Sequence, residues 1–77
     1  MRNKKLKFQP LGATDGLLVT MPCGVMVEIF GESVIEFTLK NFSRSELSVI
    51  ELSGLPKVSA RSYLDIEKST GAKVFIS

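Results

Sequence analysis

Turn residues punctuate the chain at short intervals, and apolar positions alternate with polar ones between them. Gly12–Gly16, Pro22-Cys23-Gly24, Gly31-Glu32-Ser33, Ser43–Ser45, Ser53–Lys57 and Lys68–Gly71 separate segments mostly four to ten residues long. That spacing predicts many short strands. Leu6 and Phe8 alternate with Lys5, Lys7 and Gln9. Leu17–Met21 and Val25–Phe30 are β-rich runs broken by Pro22-Cys23-Gly24. Val34–Phe42 alternates most clearly, with Ile35, Phe37 and Leu39 on one face and Glu36, Thr38 and Lys40 on the other. Gly31-Glu32-Ser33 then reads as the turn of a central hairpin, with Gly31 free to take a positive φ.

Residues 47–67 admit two readings. Ser43-Arg44-Ser45-Glu46 has capping-box spacing, and Gly54 is placed to end a helix. Yet Leu47, Val49, Ile50 and Leu52 scatter around a helical wheel, so a strand buried on both faces fits as well. The stretch SVIELSGLPKVSARSYL, residues 48–64, resembles the helix-turn-helix motifs of repressor families. Ser53-Gly54-Leu55 matches the turn; Ser59, Ala60, Arg61 and Tyr63 match the second helix. The resemblance implies a DNA-binding regulator over Leu47–Glu67, with Lys57, Val58 and Arg61 facing DNA. YLDIEKSTGAKVFI, residues 63–76, is similar to the end of a KH-type RNA-binding domain. Lys57-Val58-Ser59-Ala60 stands where that family carries a Gly-x-x-Gly loop, and has neither glycine. Periodicity points elsewhere. Val58, Ala60, Ser62, Leu64 and Ile66 alternate with Ser59, Arg61, Tyr63, Asp65 and Glu67, and Val74 and Ile76 alternate beyond the Lys68–Gly71 turn. A C-terminal hairpin is therefore favoured. The expected fold is all-β, a small antiparallel barrel or compact sandwich of about six or seven short strands in one domain. The alternative is α+β, β-hairpins followed by a helix-turn-helix.

Composition limits what such a domain can do. With 77 residues, 44% of them apolar, and a mean hydropathy of +0.21, the chain can form one small core. One cysteine, Cys23, and no histidine leave no disulfide and no common zinc site within one chain. Association into a homo-oligomer would bury further apolar surface. The lone thiol and the absence of a convincing export or membrane-spanning run suggest a cytoplasmic protein.

The net charge of +2 is unevenly distributed. Arg2, Lys4, Lys5 and Lys7 occupy a first seven residues that hold no acid; the rest carries six basic and eight acidic residues. A basic arm suits phosphates or an acidic partner. No constellation for catalysis stands out: histidine is absent, and Cys23 has no evident base. Neither a cofactor nor a metal is expected. The expected function is a non-catalytic binding module associated with nucleic acid. Lys4, Lys5, Lys7, Arg44 and Arg61 would meet phosphates, with Tyr63 as a stacking platform. The competing expectation is an assembly or adaptor protein that binds a protein partner, or itself, through strand edges, Phe42 and Phe75.

Overall fold

The computed structural model describes residues 4–12, 15–54 and 60–76, with side chains 60–63 outside the description. Five strands and two helices follow in the order β1 (Lys5–Pro10), β2 (Leu17–Thr20), β3 (Met26–Ile29), α1 (Val34–Asn41), β4 (Val49–Leu52), α2 (Ala60–Thr70) and β5 (Lys73–Ile76). The strands form one open sheet in the order β3-β2-β1-β4-β5. β1–β2 and β2–β3 are antiparallel; β1–β4 and β4–β5 are parallel. The β-rich expectation holds in this coarser form: the sheet is mixed, it does not close into a barrel, and two helices accompany it.

Alternation divides the sheet into two faces. Leu6 and Phe8 of β1, Val19 of β2, Ile29 of β3, and Ile50 and Leu52 of β4 lie buried on one face. Val34 and Phe37 of α1 and Ile66 of α2 join them in a single core. Phe8 and Phe37 meet edge to face, with ring centroids 5.9 Å apart. Both helices therefore cover one face of the sheet, and among the described residues no element covers the other.

Met21–Val25 makes the β2–β3 turn where the Pro22-Cys23-Gly24 signal stands: Met21 N–H donates to the Val25 carbonyl at 2.8 Å, and Gly24 N–H to the Met21 carbonyl at 2.9 Å. The expected central hairpin is corrected, because Val34–Asn41 is helical. Gly31, at φ +76°, ends β3 and turns the chain into the Ser33 N-cap. Glu36 N–H donates to Ser33 Oγ at 3.2 Å, and Ser33 N–H to Glu36 Oε1 at 3.1 Å, a full capping box. The Ser33 backbone amide, then its hydroxyl, holds the Glu36 carboxyl below its ordinary value of 4.5. A lowered folded value means the cap's contribution is complete above the ordinary value and is lost as pH falls through the lowered one. Ser33→Ala is expected to cost about 1 kcal/mol in urea unfolding. In the same variant, the Glu36 carboxyl followed by NMR should titrate at a higher pH.

The capping-box spacing at Ser43–Glu46 starts no helix. The Ser43 amide does bond the Glu46 carboxylate, but Ser45 turns left-handed at φ +77° and the chain enters β4. The helix-turn-helix expectation fails at its first helix, since residues 49–52 form β4, an inner strand between β1 and β5. The hairpin expectation for residues 58–67 is corrected too. Ala60–Thr70 is α2, which links β4 to its parallel neighbour β5. Residues 58 and 59 lie outside the description. Gly71, at φ +76°, does serve as a turn, as the C-terminal stop of α2: its amide bonds the Glu67 carbonyl at 2.8 Å.

Among the described residues, no helix is long and apolar enough to cross a membrane.

Candidate functional site

The uncovered face of the sheet is built by the residues that alternate with the core. Strand registers set Met26, Thr20, Lys7, Glu51 and Phe75 in one row across all five strands. One step along, Lys5, Val49 and Lys73 form a second row across β1, β4 and β5. Strands lie about 4.8 Å apart, so Lys5 and Lys73 stand roughly 10 Å from each other at the backbone. Three lysines and an exposed phenylalanine thus share one half of the face. Phe75 is 54% exposed.

Glu51 sits among these lysines. Its carboxylate meets Lys5 Nζ at 2.8 Å and Lys7 Nζ at 3.6 Å. The hydrogen bond from Lys5 holds the Glu51 carboxyl below its ordinary range. These are exposed ion pairs, worth little to stability and weakened by salt. Their larger effect is positional, because one carboxylate gathers two lysine heads in the middle of the face. Lys73 has no acid beside it in its row, where its neighbour is Val49. On the β2–β3 half of the face, Leu18, Thr20, Met26 and Glu28 carry no positive charge.

Of the expected residues, the structure brings Lys5, Lys7 and Phe75 together on this face and sets Lys4, Phe42 and Arg44 apart from it. Lys4 lies at the end of β1 and lines a cleft of about 420 Å³ with Met21, Pro22, Cys23, Phe42, Ser45 and Glu46. Phe42 is half-buried there and packs against the core. Arg44 donates to the Lys68 carbonyl at the C-terminal end of α2, where a cation also complements the helix dipole. The side chains of Arg61 and Tyr63 lie outside the described residues, although both positions belong to α2. Lys73 shares this face although it is not among the expected residues. Its signal was the alternation of Lys73 and Phe75 with Val74 and Ile76, which places lysine and phenylalanine on one face.

Cys23 is exposed at the tip of the β2–β3 turn. Among the described residues, no group of three or more histidine, cysteine, aspartate or glutamate side chains could hold a metal ion. Comparison with protein-family models, with curated proteins and with solved structures finds no match.

Proposed function

We propose that this protein is a non-catalytic binding module whose uncovered sheet face holds single-stranded nucleic acid. The observation that carries the reading is the register of β1, β4 and β5, which gathers Lys5, Lys7, Lys73 and Phe75 on a face that neither described helix covers. Lysines supply phosphate contacts and the exposed ring supplies a stacking platform, the two parts of sequence-tolerant single-strand binding. A five-stranded face is too broad for a major groove, which admits a helix or a two-stranded ribbon. Single strands are therefore favoured over duplex.

Fluorescence anisotropy with a labelled single-stranded oligonucleotide tests this. Binding should weaken as salt rises, with a log–log slope of about −0.7 for each phosphate neutralised. Phe75→Ala should weaken binding by about 1–3 kcal/mol, with the slope unchanged. Lys73→Ala should make the slope shallower. No binding of single-stranded DNA or RNA at low salt would end the proposal.

A further inference from the structure

We infer that the β3 edge is a homodimer seam, along which a second copy of this chain adds its own β3 antiparallel and extends the sheet. The seam is independent of the nucleic-acid reading. The sheet has two edges, β3 and β5, and they are finished differently. At β5, Lys73 N–H turns inward to the Ser48 carbonyl at 3.0 Å, so alternation turns the Val74 amide outward. Glu67 of α2 reaches over, and its Oε2 accepts that N–H at 3.0 Å. A side-chain oxygen thus fills the place that the carbonyl of a further strand would take, one of the ways proteins blunt an edge.

The β3 edge has no such cover. Met21 N–H bonds the Val25 carbonyl, so Val25, Val27 and Ile29 face β2, while Met26 and Glu28 turn their N–H and C=O groups outward. Among the described residues, no group meets them. Val25, Met26 and Phe30 beside them are 56%, 56% and 58% exposed. Phe30 closes over Gly16, where an added Cβ would lie 2.4 Å from the ring. The edge is therefore open and mostly apolar, with Glu28 as its charged residue.

A second copy fits this edge in one particular register. A two-fold axis through Val27 sets Val27 opposite the partner's Val27, Met26 opposite the partner's Glu28, and Val25 opposite the partner's Ile29. Met26 and Glu28 are the outward-facing residues, so both crosswise pairs are the hydrogen-bonded kind. The same register keeps the two Glu28 carboxylates from facing each other and matches Val25 to an apolar neighbour. The open faces of the two sheets run on as one.

Sedimentation equilibrium at rising concentration tests the seam on the full chain. The expected result is a mass that doubles. Met26→Pro removes one outward N–H without touching the β2–β3 ladder, and should weaken the dimer at least tenfold while the circular dichroism spectrum stays unchanged. A second variant does not depend on that proline being tolerated. Val27→Cys in a Cys23→Ser background places two thiols across the axis, where non-hydrogen-bonded partners stand about 4.5 Å apart at Cα, within disulfide reach. It should cross-link under mild oxidation. A monomer at the highest soluble concentration would overturn the seam. So would a dimer in which Val27→Cys fails to cross-link, or one that a folded Met26→Pro leaves at full strength.

Discussion

Phe8→Ala is expected to lower the stability of the protein by about 3–5 kcal/mol, the usual cost of truncating a fully buried aromatic. Phe8 is 0% exposed and sits on the central strand, with Val19 and Leu52 opposite it on the two neighbouring strands. Its ring meets Phe37 edge to face, and so joins α1 to the sheet. A chain of 77 residues has a total stability of about 4–12 kcal/mol at ordinary values per residue. The substitution removes much of that margin, and at its lower end leaves the chain largely unfolded. Urea denaturation followed by far-ultraviolet circular dichroism reads the effect directly. Phe75→Ala, on the uncovered face, should change stability by no more than about 0.5 kcal/mol in the same assay. Equal losses from the two would contradict the two-faced sheet.

Thr70→Val should cost about 1–3 kcal/mol, although it scarcely changes side-chain volume. Thr70 is 1% exposed at the end of α2. Its hydroxyl donates to the Ile66 carbonyl at 2.6 Å and accepts from the Ala72 amide at 3.2 Å. Valine leaves that amide, of a residue itself 2% exposed, without its acceptor. Thr38 of α1 provides the contrast. It is equally buried, but its hydroxyl only donates, to the Val34 carbonyl at 2.8 Å, so Thr38→Val strands no donor and should be close to neutral. Measuring the two variants side by side separates loss of an acceptor from loss of a hydroxyl.

These two threonines also explain why the helices were hard to read. Each buries its methyl against the core and satisfies its hydroxyl on the carbonyl four residues back, so it packs as an apolar residue while counting as a polar one. Val34, Phe37 and Thr38 form the buried stripe of α1. With Thr38 counted as polar, the same eight residues alternate like a strand. In α2, Ile66 and Thr70 lie one turn apart and both are buried, whereas Leu64 is 56% exposed. The alternation of Leu64 with Ile66 carried no information about burial. The capping signal for α1 was present as Ser33-x-x-Glu36, but the same spacing recurs at Ser43-x-x-Glu46, where Ser45 turns left-handed instead. Spacing alone does not separate the two.

The strands read more cleanly, because their alternation involves lysine and glutamate against leucine, isoleucine and phenylalanine. Lys5 and Lys7 against Leu6 and Phe8 fixed the inner face of β1, and Leu17–Met21 and Val25–Phe30 flank the hairpin turn as their residues suggest. Strand order was not legible. Nothing local in Lys73–Ile76 distinguishes an antiparallel hairpin partner from a parallel edge strand reached through a helix. The candidate face was legible residue by residue and not as a site, since its rows join β1 to β4 and β5 across most of the chain.

The place of β1 at the middle of the sheet has a consequence for how the protein is made. As the chain leaves the ribosome, β1, β2 and β3 can pair at once, but one side of β1 stays open until Val49–Leu52 arrives to lie against Lys5–Phe8. Phe8 and Leu6 wait without the helix and strand that will cover them. Closing that long loop is the step expected to limit the folding rate, since distant segments must meet before their pairing stabilises them. Until then β1 keeps an unpaired edge, the kind of edge that can take up a wrong strand.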